Sequence, residues 1–203
     1  MRRAESLRWS ALAVLLAAAG VLASPTPGAA QTVAGDAKAA QVTAFGPLGG
    51  ATTTALVATG TLGGAGDARD ASLVTGSLSS VLSAEVLNAV TIGWPDQVIS
   101  QASLANLALT VGGTGISADF VMATATASAG AVGSGSSLID NLSINGASVE
   151  VTGDANQTIA IPGGQVVLNE QVVSASGTSV NALHATIFGV TDVVVASADA
   201  GIQ

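Results

Sequence analysis

Apolar and polar residues alternate along much of this chain with a period of two. Leu107, Leu109 and Val111 alternate with Ala108 and Thr110. Ile116, Ala118, Phe120 and Met122 then share one face, with Ser117 and Asp119 on the other, and a Thr/Ala alternation continues through residues 123–128. Further on, Leu138, Asp140, Leu142 and Ile144 alternate with Ile139, Asn141 and Ser143. Such alternation is the signature of a half-buried strand. Tight-turn residues punctuate it: Gly112-Gly113-Thr114-Gly115, Asn145-Gly146 and Pro162-Gly163-Gly164. Asn-Gly between alternating apolar residues is the strongest of these signals, because a type I′ hairpin turn needs positive φ at both central positions.

The same reading extends outward with less contrast. Residues 31–50 are Ala, Gly and Gln with little pattern and are expected to be a loose leader. Residues 52–62 read as a strand, followed by a turn at 63–67. Residues 72–92 are ambiguous. Val81, Leu82, Val86, Leu87 and Val90 fit a helix face, while Leu73-Val74-Thr75 reads as extended, and the extended neighbours favour strands. The Gly/Ser-rich stretch 130–137 is expected to be a mobile loop. Residues 180–188 and 191–198 make a last strand pair around Gly189.

Roughly eight to ten strands with short connections and no long helix predict an all-β fold. Consecutive hairpins make an antiparallel sheet, which must bury its apolar face on a second sheet. A two-sheet β-sandwich over residues 51–203 is therefore the expected architecture. A β-solenoid is the alternative, although no fixed repeat period supports it.

Composition sets the compartment. Arg2, Arg3 and Arg8 precede an uncharged apolar run at residues 9–23, then Ser24-Pro25-Thr26-Pro27 and Gly28-Ala29-Ala30. That order of basic flank, apolar core and small-residue site is a secretory signal peptide over residues 1–30. Cleavage is expected after Ala30, with Ala23 as second choice. The run is too short to span a bilayer, and no second span follows. Beyond residue 30, Lys38 and Arg69 face twelve carboxylates. Nucleic acid is excluded as a partner, since phosphate binding needs clustered Lys and Arg. With no cysteine, the fold rests on packing and hydrogen bonds alone, and thiolate chemistry is excluded. Tyr is absent and aromatics are few, so sugar-stacking platforms are poorly supplied.

Candidate chemistry is sparse. His184 is the one histidine, and Asp192 lies near it in a hairpin. An exported serine-type hydrolase using His184 as base is one reading, but the chain has no Gly-x-Ser-x-Gly elbow. Catalytic zinc, which takes three protein ligands, is disfavoured. Residues 113–118 match a G-x-G-x-x-A nucleotide fingerprint, but the residues after it alternate as a strand where the fingerprint needs a helix. Carboxylates crowd the C-terminal third, and Asp154 and Asn156 could offer oxygens to calcium, which would suit a calcium-dependent adhesion module. Solvation and protection of sheet edges explain the same carboxylates. No catalytic residue and no cofactor is assigned. The loops at 63–70, 112–115 and 130–137 are the candidate binding surfaces.

Several phrases occur together in order: Leu142-Ser143-Ile144-Asn145-Gly146, residues 159–164, Val167-Leu168-Asn169-Glu170-Gln171, Val180-Asn181-Ala182-Leu183-His184 and residues 192–202. As a set they resemble the bacterial choice-of-anchor P family of exported proteins, over about residues 70–203. The resemblance implies a surface or secreted domain and transfers no catalytic residue. The expected function is a non-enzymatic structural, adhesive or matrix role at or outside the cell surface. Its partner would be an extracellular or envelope protein or polysaccharide, or a second copy paired through an edge strand.

Overall fold

The computed structural model describes residues 31–46, 49–78 and 80–203. The expected signal peptide at 1–30 lies outside the described residues. Thirteen strands and no helix are found among the described residues. They are β1 (Val33–Phe45), β2 (Ala51–Ala58), β3 (Ala68–Leu78), β4 (Leu82–Gly93), β5 (Gln97–Val111), β6 (Thr114–Ser128) and β7 (Ser134–Asp140). The short pair β8 (Ser143–Ile144) and β9 (Ala147–Ser148) follows, then β10 (Gln157–Ile161), β11 (Gly164–Ser174), β12 (Gly177–Ile187) and β13 (Thr191–Ile202). One sheet runs β10-β11-β12-β13-β1-β2; the other runs β3-β4-β5-β6-β8-β9, with β7 also paired to β6. Every pairing is antiparallel. The fold is the expected two-sheet sandwich, not a solenoid.

Turn chemistry sets the hairpins. Asn145 (φ 50°) and Gly146 (φ 78°) join β8 to β9, and Gly112 (φ 55°) and Gly113 (φ 80°) join β5 to β6. Both have positive φ at the two central positions, as a type I′ turn demands. The ambiguous stretch 72–92 is extended, split between β3 and β4.

The core departs from simple alternation. Along β5 the buried side chains are Val98, Ser100, Ala102 and Leu104, and then Leu107, Leu109 and Val111. Along β12 they are Thr178, Val180 and Ala182, and then Leu183, Ala185 and Ile187. Each strand thus reverses phase once. The reversals fall on breaks in the ladders that line up across each sheet. In the first sheet they involve Val57, Ala39, Ala196, Ala182 and Asn169; in the second, Val74, Val86, Asn106, Asp119 and Asn141. Six of these residues are left-handed: Val57, Val86, Asn106, Asn141, Asn169 and Ala196 have φ of 53°, 49°, 50°, 53°, 50° and 51°. The register is unchanged across these breaks except between β4 and β5, where it shifts as in a β-bulge, so elsewhere the left-handed residue turns the following side chains to the other face without an added residue.

Four expectations are corrected, the first two by the reversals. Ile116 and Ala118 are buried, but Phe120 and Met122 lie on the opposite face, and Val121 and Ala123 take the core positions. Leu138 is exposed while Ile139 and Leu142 are buried, because the phase flips at Asn141. Residues 31–50 are not a loose leader: β1 lies within them, between β13 and β2. The loop expected at 130–137 is a strand from Ser134 onward, paired with β6. Its glycines permit close approach to β12, since a Cβ on Gly135 would stand 2.3 Å from Val180 Cγ2.

Small residues bring the sheets together. Gly35 of β1 faces Thr91 and Ser100 of the opposite sheet. Thr91 Oγ1 and Ser100 Oγ share a buried 2.7 Å hydrogen bond, and Ser100 Oγ donates to the Asp199 carbonyl of β13 at 2.6 Å. A hydroxyl pair buried in an apolar layer is tolerable only when bonded in this way. A Cβ on Gly35 would stand 2.6 Å from Thr91 Oγ1 and 2.8 Å from Val98 Cγ1. Gly35→Ala is therefore expected to destabilise the fold by about 1–3 kcal/mol, read from the urea midpoint, through overpacking. An unchanged midpoint would show that the sheets have slack at this level.

Candidate functional site

The densest polar constellation lies on the outer face of the first sheet. Phase reversal puts His184 on that face, beside Thr186 of its own strand and Asp192 of β13. The left-handed Asn169 (φ 50°) reverses the phase of β11, and Glu170 comes to the same side, opposite Asn181. His184 Nδ1 meets Glu170 Oε2 at 2.8 Å, and Nε2 meets Asp192 Oδ2 at 2.7 Å. Thr186 Oγ1 donates to Asp192 Oδ2 at 3.2 Å, and Asn181 Nδ2 donates to Glu170 Oε2 at 2.7 Å. The imidazole side chain is 22 % exposed.

Two carboxylates as acceptors require an N–H on both ring nitrogens, which only the imidazolium supplies. Burial is the largest influence on His184 and opposes its charge. The hydrogen bond to Asp192, the charges of Glu170 and Asp192, and the hydrogen bond to Glu170 together outweigh it, so the pKa stands above the ordinary 6.5. A general base needs one nitrogen free toward a nucleophile. Both nitrogens here are spent on carboxylates, and the one hydroxyl in reach is Thr186, 3.3 Å from Nε2. The sequence brings His184 and Asp192 together as expected across the Gly189 turn. Glu170 and Asn181 are not evident from spacing, because Glu170 lies on a separate strand and its register partner is Asn181, three residues from His184.

A second charged group lies on β1 and β13, where Asp36 and Asp199 are register partners. Lys38 pairs with Asp36. Asp199 has a raised pKa. Burial is the first cause; the bond from Ser179 opposes it, the bond to and charge of Asp36 add to it, and Lys38 opposes it.

The calcium candidates are not arranged as ligands. The Asn156 carboxamide oxygen already accepts from the Gln171 amide at 3.0 Å, and the Gly153 carbonyl accepts from Asn169 Nδ2 at 3.0 Å. The amide of Asp154 donates to Thr152 Oγ1. No group of three metal-ligating acidic, His or Cys side chains occurs among the described residues. Residues 113–118 enter β6, not a helix. The loop at 63–70 is pinned by Asp67, whose carboxylate accepts from the Gly63 amide at 2.7 Å and from Arg69 Nε at 2.9 Å. Those two donors hold the Asp67 pKa below its usual value.

On the outer face of the second sheet, Ser77, Ser83, Ala108, Ser117, Ser143 and Ser148 stand in register across six strands. An open groove of about 460 Å³ runs beside them, also lined by Thr110 and Asn145 and free of charge. No helix among the described residues is long and apolar enough to cross a membrane. No family model, no curated protein and no solved structure matches this chain.

With one histidine in the chain, its imidazole signals are unambiguous by NMR. Titration is expected to give a pKa above 6.5 with both nitrogens protonated below it. The sign for stability follows from linkage: the contribution is full below pH 6.5 and is lost as pH rises through the elevated folded value. The stability advantage of the parent over His184→Gln should shrink across that interval; an advantage independent of pH would mean the ion pairs do not form. For Asp199 the sign is opposite in effect. Its raised pKa penalises the ionised fold, absent below pH 3.8 and complete above the folded value. Asp199→Asn is expected to raise stability at neutral pH by a few tenths to about 1 kcal/mol, the cost of like charges facing across a strand pair. That gain should vanish in acid, and a loss at neutral pH would contradict it.

Proposed function

We propose that this chain is an exported bacterial β-domain with a non-enzymatic structural, adhesive or matrix role at or outside the cell surface. The observation that carries the reading is the state of its one histidine. His184 is the residue on which a serine-type hydrolase would depend, and it bridges two carboxylates with no serine hydroxyl among its partners. The group acts as a charged clasp tying β11, β12 and β13 on one face.

Other features agree with this reading. The basic, apolar and small-residue order of residues 1–30 is that of a secretory leader. An acidic chain without cysteine that buries an extensive Ala, Val, Leu and Ile core suits a folded life outside the cell without disulfide chemistry. The ordered phrases of the C-terminal third, which resemble choice-of-anchor P proteins, point to the same setting. The neutral, hydroxyl-lined groove on the second sheet is a surface on which an uncharged polysaccharide or a peptide could lie.

Fractionation of the native host tests this. The chain is expected in medium, periplasm or envelope, with an amino terminus at Gln31 or, second, at Ser24. Recovery from the cytosol with Met1 intact would overturn export. A His184-dependent turnover of ester or peptide substrates, abolished in His184→Ala, would overturn the non-enzymatic role.

A further inference from the structure

A structural role, as proposed above, needs a partner surface, and the two sheets end together in one place that differs from the rest of the molecule. We propose that this flank, formed by β2 and β3, is a self-association surface whose occupant is a second copy of this chain, added strand to strand.

Backbone geometry identifies the kind of occupant. Among the described residues β2 pairs only with β1, and β3 only with β4. Each therefore presents every second N–H and C=O of its length outward, a template that an extended strand fills. The two strands lie side by side: Leu56 of β2 and Leu73 of β3 both reach the space beside Gly76.

Charge identifies which chain supplies that strand. Residues 39–66 and 71–84 contain no Asp, Glu, Lys or Arg, in a chain of net charge −8. Two copies of an acidic protein repel wherever their carboxylates meet, and β2 with the 71–78 stretch of β3 lets them approach without that cost, the charges of β3 being confined to Arg69 and Asp70 at its start. At the opposite end of the first sheet, β10 follows a segment carrying Glu150 and Asp154. Natural edges are blunted by Lys, Pro or inward-pointing charge, and β2 has none of these.

Strain marks the same flank. Among the described residues, the left-handed non-glycine positions are held by Asn at 106, 141, 145, 156 and 169, by buried Ala196, and by two valines. Those valines are Val57 of β2 and Val86, on the strand next to β3. A β-branched residue in this conformation is a true outlier, and such strain persists where something else requires the side chain. The phase reversal accounts for the backbone at both positions and Val57 packs against the core, but Val86 is 65 % exposed and Val74, beside it on β3, is 81 % exposed, so packing within one copy does not account for these two apolar side chains. An isologous contact, with the same patch on both copies, would cover both pairs at once.

Sedimentation velocity on the purified protein, from micromolar to near-millimolar concentration, tests the surface. The parent is expected to self-associate. Val74→Lys and Ala55→Lys, each at an exposed edge position, are expected to weaken association at least tenfold with unchanged circular dichroism. Val86→Asn relieves the strained conformation, so it should raise the melting temperature and yet weaken association. Ala160→Lys, on the exposed β10 edge, should leave association unchanged. A parent monomeric throughout the range overturns the proposal, as does association weakened by Ala160→Lys but not by the flank variants. A monomer found outside the cell would remove this partner and leave the exported role standing. A self-associating chain found in the cytosol would do the reverse.

Discussion

Everything in this fold depends on a transverse line in each sheet where the strands reverse which side chains they bury. A strand that flips alone would lose its ladder to both neighbours and turn its apolar residues outward. The reversal is tolerable only because adjacent strands make it at the same level. Above and below the line the side chains alternate normally, so two shorter sandwiches are in effect stacked end to end within one chain. Left-handed residues set the level, and three of the six are asparagines. Asn106 and Asn141 also donate to the carboxylates of Glu85 and Asp119 at 2.7 Å, so the backbone conformation and a cross-strand bond support each other.

That arrangement explains how an acidic protein accommodates its carboxylates. They are seldom left facing one another. Glu85, Asp119 and Glu170 are held by Asn amides, Asp67 by a backbone amide and Arg69, and Asp192 by His184 and Thr186. The Asp36–Asp199 pair is the exception, and Lys38 and Ser179 sit beside it. Hydrogen bonds to ionised groups are the stronger kind, and here they tie neighbouring strands on the outer faces where apolar packing cannot. The clasp around His184 does this for three strands at once.

The sequence makes some of this legible and hides the rest for physical reasons. The Asn145-Gly146 hairpin and the inward set Leu107, Leu109 and Val111 are local and follow from polarity and turn chemistry. The face shared by Ile116 and Ala118 is legible as far as Ala118 and fails at Phe120, because polarity does not encode the sign of φ. Asparagines at 106, 141 and 169, each in the middle of an otherwise regular pattern, are the trace that the reversals leave. β1 is hidden differently. As an inner strand packed under close sheets it is built from Ala and Gly, and a run of small residues reads the same in a core and in a leader. Asp192 is legible as a partner of His184 because they face each other across one hairpin, whereas Glu170 lies on a third strand and is the register partner of Asn181, three residues away.

The placement of β1 has a consequence in time. Val33 is the register partner of Ile202, and the main chains of Thr32 and Gln203 exchange bonds at 2.8 and 3.0 Å. A ribosome releases the first of these strands long before the second, so the middle of this sheet stays open until Ile202 has emerged. Pairings so distant along the chain are also slow to form. The hairpins that join β11 to β12 and β12 to β13 are local and can form before this closing pair does.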